Sequence, residues 1–322
     1  MKYEILYHDF LIQLRKRIRQ NSKLVVRLVD ILSLERMSVY RRLRQEVPFT
    51  FEEIATIAKE FNISLDSILR VDARPTFPLH FQPQDDENLI EVDYLILEEY
   101  LQSIKDVASD SDSEISSTVN LLPQPFYAGF KYIFQFYYFK WLYYTILTIK
   151  TKSYHEIILP DRLIQIVDDI FVSFINIKTN YIILDNRIFQ NFVNDVVYFN
   201  NIRLIRDEDI LLIKNELFRF LDYMETIAVN GYIDTPSNKV LIYISETSID
   251  TSYSCVYSKS SFNFISIWPF IFSGILSYDE DMLNMMKRRI CSIIKTSNLI
   301  SVTGEKQRTD YFETQRKIVE QL

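Results

Sequence analysis

The feature that most constrains the fold is a pair of short helical repeats near the N-terminus, separated by only three residues. Apolar residues recur at helical spacing over 24–32, and Val39 and Leu43 continue that spacing within 36–44. Ser33, Leu34 and Glu35 stand between the two repeats. The pattern predicts a helix, a tight turn and a second helix, which pack together because each apolar stripe needs cover.

Three more helices are predicted around this pair. An apolar stripe over Tyr3–Arg19 precedes it, and Thr50 followed by Glu53 forms a capping box that begins a fourth helix. Ser64 can cap a fifth, short helix that contains Leu65, Ile68 and Leu69. We therefore expect a compact five-helix unit over residues 1–71.

Residues 28–69 read LVDILSLERMSVYRRLRQEVPFTFEEIATIAKEFNISLDSIL. This text resembles the phage-repressor or Cro-like helix-turn-helix domain of bacterial transcriptional regulators. It departs from that pattern at Ser33, which occupies the turn position usually held by glycine. The resemblance implies that a recognition helix at about 35–44 enters the major groove of double-stranded DNA.

The distribution of charge agrees with an anionic partner. The whole chain has a formal net charge of −7, yet residues 1–74 carry 14 Lys and Arg against 10 Asp and Glu, a formal +4. Within residues 15–44 the count is 10 against 2, while the remainder after residue 74 carries 22 against 33. A basic unit joined to an acidic one is typical of a nucleic-acid-binding head on a non-binding body.

The resemblance also implies roles for the exposed side chains of the second helix. Arginine can bond guanine O6 and N7 together, methionine can contact a thymine methyl group, and serine can bond either kind of base edge. Other basic side chains would contact phosphates and fix the register without reading sequence. The predicted base contacts are Arg36, Met37, Ser38 and Arg41, and the predicted phosphate contacts are Lys23, Arg42 and Arg44.

Two readings of the basic helix stay open at this point. A single head makes few phosphate contacts, so a DNA-binding chain is expected to be a homodimer on a palindromic operator. The alternative is a solvated charged face on a protein-interaction or ligand-sensing module whose helix-turn-helix does not bind DNA. Salt dependence separates them, because counterion release makes DNA binding weaken steeply with salt.

The rest of the chain is predicted to be a linker and a second, mainly α domain. Residues 72–87 contain three prolines and no sustained periodicity, which favours a linker. Residues 88–322 are predicted to form a helical regulatory or dimerisation domain with one small antiparallel sheet at about 239–268. Its stretch ISSTVNLLPQPFYAGF and its closing VTGEKQRTDYFETQR resemble the C-terminal halves of long bacterial regulators, which implies no catalytic residue. Helices are expected near 89–109, 161–177, 187–199, 207–229, 278–295 and 305–322, and strands at 239–245, 252–257 and 262–268, with a further short strand possible at 299–302.

The most aromatic segment, residues 130–150, raises the question of a membrane span. Three lysines divide it into uncharged stretches too short to cross a bilayer, so a buried helix is predicted and no membrane partner. Tyr132, Phe136, Phe139 and Tyr143 recur at three- and four-residue spacing. They could line a pocket for a small-molecule or peptide effector, although core packing or a dimer interface is the more ordinary role for such a stripe.

The chain contains few of the residues that usually form catalytic, metal-binding or phosphate-binding sites. Cys255 and Cys291 lack the spacing of a zinc ribbon or a disulfide framework, and we expect both to be buried. Three scattered histidines and four glycines predict neither a metal site nor a phosphate-binding loop. The expectation is a non-enzymatic chain without a cofactor. The N-terminal residues also lack the pattern of a secretion signal, which predicts a cytoplasmic location.

Overall fold

The computed structural model describes residues 2–18, 21–61, 63, 65, 68, 89–127, 129–145, 152–259, 262–269, 271–272 and 274–322. The first four predicted helices are confirmed, with the turn between the second and third where the sequence places it. Most of the fifth helix and the whole of the expected linker at 72–87 lie outside the described residues. The helices of this head are α1 (Lys2–Arg17), α2 (Asn21–Leu32), α3 (Arg36–Leu43) and α4 (Phe51–Glu60).

The head has its own apolar core. Leu14, Leu24 and Leu28 are fully buried, and Val39 and Leu43 of α3 join them as the helical spacing predicts. Helix α2 contacts both α3 and α4. The outward face of α3 is therefore fixed by the residues that it buries.

The remaining described residues form a larger body of alternating helices and strands. A short 3₁₀ turn, Tyr154–Glu156, precedes α8. The helices of the body are α5 (Leu89–Ala108), α6 (Gln124–Tyr127), α7 (Lys131–Thr145), α8 (Asp161–Ile175), α9 (Ile188–Asn201), α10 (Asp207–Asn230), α11 (Glu280–Ile294) and α12 (Glu305–Val319). Its strands are β1 (Glu114–Val119), β2 (Thr179–Asp185), β3 (Lys239–Ser245), β4 (Ser252–Tyr257), β5 (Phe264–Trp268), β6 (Ile275–Ser277) and β7 (Ser297–Leu299).

The expected fold class, mainly α with a small antiparallel sheet at 239–268, is wrong. The seven strands form one mixed sheet in the order β6-β5-β4-β1-β2-β3-β7. Strands β1, β2 and β3 are mutually parallel, joined by helical crossovers, whereas the other pairs are antiparallel. The three predicted strands exist, but β3 pairs with β2 and is not a neighbour of β4.

Three of the strands were not predicted, and two of them, β1 and β2, make part of the sheet parallel, whereas the third is the short edge strand β6. Strand β1 reads EISSTV, a polar segment that the sequence does not mark as a strand, because buried parallel strands are usually continuous apolar runs. Its serines are nevertheless buried, and Ser117 Oγ lies 2.7 Å from Ser254 Oγ of β4. Strand β2 is a short apolar run between two helices, which periodicity alone does not distinguish from a helical segment.

The two faces of the sheet carry very different layers. One face is covered by the large cluster that includes α5, α7, α8, α9, α10 and α12. The other face packs against α11 through Ile183, Cys255, Ile265 and Leu283. Cys255 is buried as expected, but Cys291 is exposed because it lies on the solvent side of α11.

The described part of the aromatic segment, residues 130–145, packs largely inside the body. Phe136 and Phe139 on α7 are almost completely buried, with ring centroids 4.7 Å from Phe192 and 4.9 Å from Phe199, respectively. Across the described part of the chain, no helix is both long and apolar enough to span a bilayer.

This packing predicts the effect of truncating the aromatic helix. Phe139→Ala should lower the free energy of unfolding of the body by about 3 to 5 kcal/mol, because it removes a large buried ring and leaves a cavity. The matched Tyr144→Ala, at a side chain of which 61% is exposed, should change it by less than about 0.5 kcal/mol. Urea unfolding followed by tryptophan fluorescence isolates the body, because both tryptophans, Trp141 and Trp268, belong to it. Equal effects of the two substitutions would contradict this account.

Candidate nucleic-acid interface

The turn that presents α3 depends on a left-handed residue. Ser33, directly after α2, has φ +52°, a conformation that glycine adopts more easily than serine. The extended backbone of Glu35 then begins α3, and the Val39 amide donates to the Glu35 carbonyl at 3.1 Å. The sequence departure at Ser33 thus coincides with the strained position of the turn.

A second left-handed residue ends the same helix. Gln45 has φ +65°, its amide donates to the Arg42 carbonyl, and the Glu46 amide donates to the Arg41 carbonyl. These two bonds form a Schellman motif, in which the left-handed position is usually glycine. Helix α3 is therefore enclosed between two left-handed residues, neither of which is glycine.

An ion pair fastens α3 to the start of α4. Arg42 donates from Nε and Nη2 to the two carboxylate oxygens of Glu53 at 2.9 and 2.8 Å. Only 16% and 15% of the two side chains is exposed. Glu53 also accepts from the Thr50 amide while its own amide donates to Thr50 Oγ1, which confirms the predicted capping box.

The protonation of Glu53 follows from these contacts. Burial opposes its ionisation, but the hydrogen bonds from Arg42 and the Thr50 amide outweigh burial and lower the pKa of the carboxyl below its ordinary value. The Glu53 carboxylate is consequently charged at neutral pH. The paired guanidinium of Arg42 favours a structural role over the phosphate contact that the sequence suggested.

Helix α1 supports the other side of α3, which sequence reasoning missed. Arg15 donates to the Leu43 carbonyl at 2.8 Å, and the Tyr7 hydroxyl donates to the Arg42 carbonyl at 3.3 Å. The Tyr7 oxygen in turn accepts from the Phe49 amide at 3.0 Å. A positive charge at a helix C-terminus is favourable, so Arg15 both anchors and stabilises α3.

The exposed face of α3 is basic. At about 100° per residue, Arg36, Met37, Tyr40, Arg41 and Arg44 fall within an arc of about 140°. Met37 is 62% exposed, and more than half of the Arg41 and Arg44 side chains is exposed. Three of the four predicted base contacts therefore share a protruding surface, which we call the α3 face.

The other predicted contacts lie around this surface. Ser38 is half-buried and points towards the flank of α3 that carries Arg42. Lys23 is exposed in the first turn of α2, and the N-terminus of a helix in general favours a phosphate.

One acidic side chain stands among these arginines. Glu46 lies 3.7 Å from Arg41 Nε and 3.4 Å from Arg44 Nη1, and all three side chains are exposed. Exposed ion pairs of this kind contribute little to stability. A phosphate can replace Glu46 at either arginine at little cost.

The four aromatic residues that were candidates for an effector pocket lie far from this surface in the chain and belong to the body. Phe136 and Phe139 are buried in the core, as described above. Tyr132 and Tyr143 are partly buried beside the same cluster, and the Tyr132 carbonyl accepts from the Tyr154 hydroxyl at 3.0 Å. Within the described ranges, no three His, Cys, Asp or Glu side chains are grouped so as to hold a metal ion.

Residues 9–92 match the family model of the BetR domain, a helix-turn-helix domain of DNA-binding regulators. The match begins within α1, includes α2 to α4 and ends in the first turn of α5. Comparisons with curated proteins and with solved structures give no match. The head is therefore similar to the helix-turn-helix domains of DNA-binding regulators.

The two left-handed residues predict an unusual response to glycine. Ser33→Gly and Gln45→Gly should each raise the stability of the head by about 0.5 to 1 kcal/mol, because glycine adopts positive φ without a steric cost. The control Ala55→Gly, within α4, should lower it by about 1 kcal/mol. Thermal unfolding followed by far-ultraviolet circular dichroism measures all three. Destabilisation by both loop glycines would show that their backbone is not left-handed.

The lowered pKa of Glu53 predicts an acid-sensitive contribution to stability. Glu53→Gln keeps a side chain suited to the capping box but removes the charge, and should cost the head about 2 kcal/mol at neutral pH. A depressed folded-state pKa gives stability that is full above the unfolded value of about 4.3 and lost as the pH falls through the folded value. The difference between wild type and variant should therefore shrink in acid. The neighbouring exposed Glu52→Gln is the control, and a cost that does not vary with pH would contradict the ion-pair explanation.

Proposed function

We propose that this chain is a sequence-specific transcriptional regulator that binds double-stranded DNA by inserting α3 into the major groove. The observation that most directly supports this proposal is the α3 face, which exposes Arg36, Met37 and Arg41 on a helix-turn-helix head. The match of residues 9–92 to a regulator domain supports the same function. The head is of the Cro-like kind, and the chain acts in the bacterial cytoplasm, where its DNA lies.

Each basic side chain has a distinct role in this proposal. Arg36 and Arg41 reach base edges, since the major groove admits a helix and the arginine fork matches guanine. Met37 supplies an apolar contact to a thymine methyl group. Ser38, on the flank of α3, makes at most one contact to the edge of a base. Lys23 and Arg44 contact phosphates and set the register. Arg42, in contrast, holds α3 at the correct angle through Glu53.

Two copies of the chain are expected on the operator. The short α3 of one head covers only a few base pairs, so a homodimer would place two heads on half-sites roughly 34 Å apart. The resulting operator is palindromic. Sedimentation of the protein with a single duplex measures the number of chains bound.

The direct test is selection from a randomised duplex pool by wild type, Arg36→Ala, Arg41→Ala and Lys23→Ala. Wild type should enrich a palindromic site. The two arginine variants should lose about 1 to 3 kcal/mol of binding and relax specificity at one position, because each removes a base contact. Lys23→Ala should weaken all sequences alike and reduce the salt slope by about one.

The control is Arg288→Ala, at an exposed arginine on α11 that changes the net charge equally. It should bind as wild type does. No enrichment and no salt-dependent binding would overturn the proposal and leave the alternative, a helix-turn-helix that serves protein interaction or ligand sensing.

A further inference from the structure

A cavity opens in the body at the carboxyl end of β1. Its volume is about 90 Å³, and its lining includes residues 121–125, which comprise the end of the loop after β1 and the start of α6. Strand β1 is the point at which the sheet divides, because parallel β2 lies on one side and antiparallel β4 on the other. Ligands of open α/β sheets often bind in crevices outside the carboxyl ends of the parallel strands.

The cavity exists because small side chains stand where strands usually carry large ones. Ser117 of β1 is directly opposite Ser254 of β4, and Ser254 is opposite Ser266 of β5. The first two serines form the floor, with their hydroxyls 2.7 Å apart. A β-branched residue at either position would occupy this space.

Aromatic rings form the walls. Tyr100 of α5 meets Trp268 edge to face, with centroids 5.0 Å apart, and Phe126 meets Phe174 in the same way at 5.7 Å. A Cβ on Gly274 would lie 2.6 Å from the Trp268 ring, so only glycine allows the loop to pack against this wall. The rings are thus held in place by the structure around them.

The polarity of the lining restricts the ligand. Among the described residues that line the cavity, none carries a charge. Gln124 is one of the lining residues, and its Nε2 is buried without a hydrogen-bond partner among the described residues. A buried donor without a partner is costly, and an acceptor on a ligand would relieve that cost. A charged ligand would instead lose its hydration without compensation.

We propose that this cavity is an effector site for an uncharged, mainly apolar small molecule with one hydrogen-bond acceptor. The apolar end lies between Tyr100 and Phe126 above the paired serines, and the acceptor meets Gln124 Nε2. A cavity of 150 Å³ holds benzene, so the 90 Å³ here takes only part of a small ring or a short chain, and the rest of the ligand extends into the open part of the cavity.

A continuous set of contacts joins the cavity to the head. Tyr100 lies one turn before Ser103 on α5, and Ser103 Oγ is 3.0 Å from the Tyr278 hydroxyl. The Arg17 guanidinium of α1 lies 4.9 Å from the centre of the Tyr278 ring and donates to the Tyr278 carbonyl at 3.3 Å. A ligand that moves Tyr100 therefore acts, through Ser103 and Tyr278, on the contact by which Arg17 of the head packs against the body. This regulatory role rests on the proposed DNA binding, whereas the cavity does not.

The test uses the full chain and three probes with equal numbers of heavy atoms. Acetophenone carries a carbonyl acceptor, cumene replaces it with an apolar group, and benzoate carries a charge. Saturation-transfer NMR titrations with wild type should rank acetophenone above cumene, with benzoate the weakest. Gln124→Met should weaken acetophenone by about tenfold, the equivalent of one buried hydrogen bond, and leave cumene unchanged. Gln165→Met, at an exposed glutamine of α8, is the matched control.

A second variant fills the floor. Ser117→Val combined with Ser254→Val removes both hydroxyls together, so no partner is left unpaired, and should abolish binding of acetophenone and cumene alike. Tryptophan fluorescence in urea confirms that this variant is folded. Unchanged binding of the probes by the folded variant would overturn the site, as would benzoate binding more tightly than acetophenone.

The regulatory step is measured separately, as the affinity of the protein for a DNA duplex that the wild-type protein selects from the pool. Saturating acetophenone should change that affinity by about fivefold or more in wild type and not in the double valine variant. Probe binding without a change in affinity would overturn the effector role while DNA binding stands. Absence of any DNA binding would overturn the function proposed above. The NMR titrations would still show whether the cavity binds the probes.

Discussion

The body depends on the pairing of β1 with strands on both of its sides. A buried backbone must satisfy its amides and carbonyls internally, and β1 does so with parallel β2 and antiparallel β4. This double pairing joins the βαβ half of the sheet to the hairpin half. The serines of β1 can be buried because the ladder satisfies their backbone and Ser254 satisfies the hydroxyl of Ser117. The same small side chains leave the space that becomes the cavity, so fold and candidate effector site share one cause.

The head depends on a smaller set of contacts that hold α3 rigidly. Its C-terminal carbonyls receive Arg15 and Tyr7 from α1, and its Arg42 is fixed by Glu53 of α4. A side chain that reads bases must be held within a fraction of an ångström, because its supporting contacts set its direction. One of the four arginines of the basic helix, Arg42, therefore holds the helix in position, while the side chains of the other three remain exposed. Charge counting alone treats all four as equivalent.

Much of the head could be predicted because its signals are local. Helical periodicity, the Thr50–Glu53 capping box and the three-residue turn act over short sequence distances, so they identify α2, α3 and α4 closely. The body was predicted less well because its sheet depends on distant partners. Residues 114–119 and 179–185 are adjacent strands, although the described helices α6, α7 and α8 separate them in the chain. No periodicity in either segment predicts that it pairs with the other. Polar EISSTV becomes a central strand only when its neighbours supply the hydrogen bonds.

The sequence by itself determined the helices of the head, its basic character and the inward direction of Val39 and Leu43, because these follow from spacing and charge. Only the tertiary structure decided which arginine forms a largely buried ion pair, since Arg42 and Glu53 meet across a turn and both could otherwise be exposed. Tertiary structure also placed Phe136 and Phe139 in the core and put the cavity at β1, where Tyr100, Gln124 and Ser254 converge from distant parts of the chain. Spacing describes one element at a time, whereas a site is formed by elements that meet.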